Sequence, residues 1–217
     1  MVQPFIRNHQ YNLIQRQSQL LLHAMQTASD PRVADSVRTG VWSAIMELFP
    51  DADPEQKLML GAVSDCRGEE DIRRYLHTME DVLEPYPQLT VKQIHDLFPK
   101  SKKLKVPDLD AVDWQRTTYL GWTDPAAGRM FLVYPLNGQL AGIEGKYTPA
   151  NKGVCFLCNR HEEIALFSAI VRKKPAGASP DYYKAIGQYI CLDSKACNRN
   201  LTQVAALETL IRQILGV

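Results

Sequence analysis

Apolar positions fall at two different periods along this 217-residue chain, and the change from one to the other divides it. Ile6, Leu13, Ile14, Leu20, Leu21 and Ala24 recur near every 3.6 residues, and Val33, Val37, Val41, Ile45 and Leu48 do so more regularly, so both stretches are expected to be amphipathic helices. Asp30-Pro31 and Asp53-Pro54 each offer an N-cap carboxylate followed by proline at the first helical position, where its missing N–H is no loss. A fourth helical segment, Glu69 to Leu83, begins with acidic residues at the end where the helix dipole favours them. Four short helices with brief connections predict a small bundle.

Pro85-Tyr86-Pro87 interrupts this pattern. Thr90 and Gln93 are then spaced as a capping box, predicting a brief helix that ends near Phe98. From Trp114 to Tyr147 the residues become β-rich and are punctuated by "TDPAAG" and "LNG", which predicts hairpin strands. Farther on, "IALFSAIV", "KKPAGASP" and "YYKAIGQYI" read as strand, loop and strand. Helical periodicity returns in Leu201, Val204, Ala205, Leu207, Leu210, Ile211 and Leu215. The expected fold class is α+β, with a four-helix bundle over residues 1–86 and an α+β domain over residues 87–217.

Composition leaves this picture intact. Hydrophobic residues make up 45% and charged residues 23%, ordinary values for a folded chain. No apolar run approaches the length of a membrane span, and polar residues interrupt the N-terminal stretch, so the expectation is a cytoplasmic protein with no membrane partner. Charge adds an asymmetry. Residues 1–84 carry eight Lys/Arg against thirteen Asp/Glu, a net of −5, and residues 85–217 carry seventeen against eleven, a net of +6. The second part is thus suited to an acidic partner, either nucleic acid or protein. The compact basic run from Lys100 to Lys105 reads as a solvated loop in preference to a nucleic-acid contact.

The candidate chemistry lies in the cysteines. Cys66 stands alone and is expected to be a buried small hydrophobe, while Cys155-x-x-Cys158 is followed, after 32 intervening residues, by Cys191 and then Cys197. Zinc takes four thiolates tetrahedrally at about 2.3 Å, and a Cys-x-x-Cys turn brings two sulfurs to one ion with little strain. A hairpin between the pairs would return the second to the first. Knuckle, hairpin and a helix holding the last ligand at its N-terminus form the plan of a treble clef, placed at about residues 150–217. Treble clefs usually close with a second Cys-x-x-Cys, whereas five residues separate Cys191 from Cys197. Unliganded thiols are the alternative. A redox pair fits less well, because it calls for a βαβ context and no further cysteines. Four cysteines fill the shell, leaving no open position for catalysis, and His161 is expected at the surface or as a donor behind the ligands. No nucleophile, base and orienter form a pattern, so the chain is not expected to be an enzyme.

With "YICLDSKACNRNLT", the Cys155 pair, "LGWTD", "KKLKVP" and the opening "HQYNLI", the chain resembles, nearly end to end, the FusB family of elongation factor G-binding proteins. The resemblance implies a helical domain followed by a zinc-bearing α+β domain, with one structural zinc. It also implies a monomer that binds the C-terminal domains of elongation factor G and releases that factor from ribosomes where fusidic acid has trapped it, meeting the ribosome only indirectly. Its partner face would lie on and beside the zinc module. Tyr189 matches the tyrosine of that face and Lys184 its lysine, Val154 stands where relatives show phenylalanine, Phe156 sits within the knuckle, and Leu210 replaces an aromatic residue on the last helix. Phe156 and Tyr189 could equally pack the small core of a metal module. Arg172, Lys173 and Lys174 would steer the domain toward an acidic partner. The competing function is a zinc module that binds ribosomal RNA directly through Lys100 to Lys105 and the lysines near the hairpin.

Overall fold

The computed structural model describes residues 3–217 apart from 102, 174–176, 178, 180 and 182. It divides into two compact units, Met1–Glu84 and Pro85–Val217.

The first unit is helical: α1 (Asn8–Thr27), α2 (Pro31–Met46), α3 (Pro54–Gly61) running into a 3-10 turn (Ala62–Asp65), and α4 (Glu69–Glu80). Both Asp-Pro starts form as expected. The Asp30 carboxylate accepts the Arg32 N–H at 2.9 Å, and the Asp53 carboxylate accepts the Gln56 N–H at 2.9 Å in a complete capping box. Ile14, Leu21, Val41, Ile45, Leu60, Ile72 and Met79 build the core, which includes buried Cys66. Val33 is exposed, while Val37 and Leu48, the latter beyond the end of α2, are partly buried against the core that Val41 and Ile45 enter fully. The ends of the unit are pinned together, with the Ile6 N–H donating to Val82 O at 3.1 Å and the Glu84 N–H to Ile6 O at 2.9 Å.

The second unit begins with α5 (Val91–Leu97), capped by Thr90 and Gln93 as the spacing predicts. An antiparallel sheet follows in the order β1 (Leu120–Asp124), β2 (Arg129–Leu136), β3 (Gln139–Val154), β4 (His161–Ile170) and β5 (Ala185–Cys191). Asn137 and Gly138, both at positive φ, make the tight β2–β3 turn read from "LNG". Two cores occupy opposite faces of the sheet. On the inner face, Tyr119, Met130, Leu132, Ile143, Phe167 and Ile190 pack with the closing helices. On the outer face, Phe131, Val133 and Leu120 pack under Ile94 and Phe98. Gly142 admits this second layer, because a Cβ there would lie 2.8 Å from the Phe98 ring.

The C-terminal helix departs from expectation. It is two helices, α6 (Ser194–Asn200) and α7 (Ala205–Leu215), and Cys197 lies in the middle of α6 instead of at the start of a long helix. Leu201 ends α6 in an extended conformation and is fully buried, so the chain turns there to seat both Leu201 and the stripe of α7 in one core. Apolar periodicity does not register this break because Leu201 and Val204 fit the helical pattern.

Candidate metal centre and partner face

The knuckle forms where β3 runs into β4. The Cys155 N–H donates to Arg160 O and the Asn159 N–H to Cys155 O, both at 2.9 Å, closing the turn around the two cysteines. Asn159 takes the left-handed conformation at φ 53°, which asparagine tolerates better than most residues. Cys191 ends β5, and Asp193 caps α6 by accepting the Lys195 N–H at 2.8 Å. The five residues between Cys191 and Cys197 thus hold a bend, a cap and the first turn of a helix.

The four sulfurs are brought together. Cys155, Cys158, Cys191 and Cys197 are all buried and their Sγ atoms lie within 4.8 Å of one another, the single such group among the described residues. Cys155 Sγ is 3.9 Å from Cys197 Sγ, and Cys158 Sγ is 3.7 Å from Cys191 Sγ. A tetrahedron with metal–sulfur bonds of about 2.3 Å has edges of about 3.8 Å, so the donor set fits zinc. Backbone dipoles support the negative charge, since Leu157 N–H and Cys191 N–H both donate to Cys155 Sγ at 3.3 Å. Hydrogen bonds from Cys158, Cys191 and Cys197 hold the Cys155 thiol far below its ordinary range, and the bond to Cys155 pushes Cys197 far above it. A divalent cation that replaces the thiol protons relieves this crowding.

α6 is anchored to the far edge of the sheet by two residues that sequence reasoning missed. Asn198 Oδ1 accepts the Thr118 and Tyr119 N–H groups at 2.8 and 3.1 Å, while its Nδ2 donates to Tyr119 O at 2.9 Å. Ser194 Oγ donates to Gly121 O at 2.6 Å, and a Cβ at Gly121 would come within 2.9 Å of the Ser194 Cβ. Nothing in "SKACNRN" signals these contacts, because their partners lie more than seventy residues away.

A family described as FBP C-terminal treble-clef zinc-finger covers residues 99–213, more than half of the chain, and one described as elongation factor G-binding protein, N-terminal, covers residues 5–87. The chain belongs to the FusB-type family of elongation factor G-binding proteins. As in that treble clef, the four cysteines hold one structural zinc. The solved structure of the fusidic acid resistance protein FusC shares the fold of this family member, with a TM-score of 0.78 over 96% of this chain and 97% of that one at 24% identity. No curated protein sequence matches. Among the described residues, no helix is long and apolar enough to cross a membrane.

The candidate partner residues of this elongation factor G-binding protein separate into two groups. Val154, Phe156, Tyr189 and Lys184 are exposed, and the Phe156 N–H donates to Tyr189 O at 2.7 Å, so the knuckle and β5 adjoin there. Leu210 is corrected: at 1% exposure it packs in the inner-face core and has no surface to offer. His161 is exposed at the start of β4. Arg172 commits its guanidinium to Gly142 O at 2.7 Å, Lys173 is exposed, and Lys174 lies outside the described residues. In the basic run, Lys100, Lys103 and Lys105 are exposed around buried Leu104, while Lys102 lies outside the described residues.

Proposed function

We propose that this protein binds elongation factor G through the rigid surface beside its zinc centre and promotes release of the factor from ribosomes, protecting translation from fusidic acid. The observation that carries the reading is the exposed pair Phe156 and Tyr189, held by one backbone hydrogen bond at the edge of a four-cysteine centre, in a chain that matches elongation factor G-binding proteins at both ends. A metal-bound knuckle fixes its side chains before binding, so an aromatic residue there loses little rotamer freedom on contact. Exposed Lys184 and Lys173 would speed the approach of an acidic partner.

Release by such a protein is a shift of population. It must bind the departing conformation of elongation factor G more tightly than the stalled one, because equal affinity for both moves nothing. The test uses ribosomes carrying elongation factor G trapped with GDP and fusidic acid. Adding the zinc-loaded protein is expected to raise the rate at which the factor leaves; an unchanged rate at saturating protein contradicts the proposal.

Direct binding to ribosomal RNA is the second reading, favoured by the exposed lysines around Leu104. Its signature is affinity for naked RNA that equals or exceeds affinity for the factor and falls steeply with salt.

A further inference from the structure

The two faces of the sheet are covered unequally. The inner face is packed with the closing helices over β2 to β5, and Ser194 of α6 reaches Gly121 of β1. The outer face is covered over β1, β2 and β3 by Ile94, Phe98 and Leu104, which lie on Leu120, Phe131 and Val133. Over Leu166 to Ile170 of β4 and Ala185 to Tyr189 of β5, no element among the described residues covers the same face. Leu166 stands opposite Tyr189, Ser168 opposite Gly187 and Ile170 opposite Ala185, and opposed residues of an antiparallel pair point to one side. The next pair toward the metal, Ile164 and Cys191, is buried. The knuckle covers it, as the Cys191 N–H bond to Cys155 Sγ and the close approach of Gly153 to Ile164 both indicate.

The bare rows are apolar where a solvated strand would be polar. Ile170 is 63% exposed, Tyr189 49% and Leu166 36%, and the patch continues onto Phe156 at 37%, whose N–H donates to Tyr189 O. These four are among twelve large apolar side chains exposed across the described residues, and the β4–β5 register with the Phe156 bond to Tyr189 sets them side by side. Between the row of Leu166 and Tyr189 and the row of Ile170 and Ala185 lie Ser168 and Gly187, a shallow trough floored by small residues and bordered by Leu166, whose Cδ1 would be 3.4 Å from a Cβ at Gly187. Lys146 opposes Ser168 from β3 on the same face and is exposed, and Lys184 precedes β5 at the trough's end.

We propose that this bare half of the outer sheet face, centred on Leu166 and Ile170, is the larger part of the docking surface, and that its occupant is a segment of elongation factor G presenting an apolar ridge flanked by carboxylates. The apolar ridge matches the trough, and the carboxylates match Lys146 and Lys184 in a unit with net charge +6. The inference rests on the proposed function for the identity of the partner. It goes beyond it in moving the centre of the interface from the zinc knuckle to the exposed rows of β4, which no metal ligand shares.

The experiment titrates purified elongation factor G into the zinc-loaded full-length protein, as wild type and as the variants Leu166→Ser, Ile170→Ser and Val91→Ser. Val91 is an exposed apolar residue on α5 and serves as the control. Wild-type binding with at least a tenfold loss of affinity in Leu166→Ser and Ile170→Ser, an unchanged Val91→Ser, and one zinc per chain in every variant supports the proposal. Wild-type binding that both β4 variants retain overturns it while leaving the proposed function standing. Absence of wild-type binding overturns both. Self-association of the wild type that Ile170→Ser abolishes would assign the trough to a second copy of this chain and overturn the proposed occupant.

Discussion

Asn198 satisfies two backbone N–H groups and one carbonyl of the segment leading into β1, on the residue next to the last metal ligand. Asn198→Leu keeps the volume but strands those groups in a buried site, at about 1–3 kcal/mol. Denaturant unfolding should show a loss of that size together with weaker zinc retention against a chelator; full stability with ordinary zinc retention would remove Asn198 from this role. Cys66 titrates apart from the metal site. Burial raises its thiol pKa, so the folded protein keeps a proton that the unfolded chain releases. Its contribution is therefore complete below the ordinary thiol range and is lost as pH rises through the folded value, above about 8.5. Cys66→Ala should flatten the fall in stability on the alkaline side, and an equal slope in wild type and variant would contradict the assignment. The metal ligands were legible from spacing alone, because cysteines grouped as pairs have few other uses in one chain. Asn198 was not, since a polar residue in a short helix carries no mark of a partner eighty positions away.

Helix starts follow local chemistry, and local chemistry is written in the sequence. Asp30, Asp53 and Thr90 all cap as their neighbours predict, because an N-cap needs only residues within one turn. The break between α6 and α7 answers to a different demand, the burial of Leu201 in a core supplied by distant strands. The strand "IALFSAI" shows the same limit. Its apolar residues on both sides imply two buried faces, yet one face is left bare beyond the reach of α5. That layer depends on a close approach. Gly142→Ala would drive a Cβ into the Phe98 ring, and overpacking of this kind costs about 1–3 kcal/mol. A loss of that size in chemical denaturation is expected; a neutral substitution would mean that the α5 layer yields freely.

Residues 1–84 carry a net of −5 and residues 85–217 a net of +6, and the metal centre and exposed sheet face both belong to the positive unit. The fold class could be read from the change of hydrophobic period. Of the residues proposed for the partner face, Tyr189 and Phe156 are exposed as a contact surface needs, whereas Leu210 is committed to the core, as its place in the apolar stripe of the last helix implies and its family position does not. The central claim is that a zinc-ordered surface of this protein binds elongation factor G. It is tested most directly by titrating elongation factor G into the zinc-loaded protein, its Tyr189→Ala variant and the chelated protein, with zinc content measured in each. The account predicts a complex at micromolar concentration or below for wild type, weaker binding for Tyr189→Ala at one zinc per chain, and loss of the complex on chelation. No complex with the zinc-loaded wild type, or one that survives chelation unchanged, would contradict it.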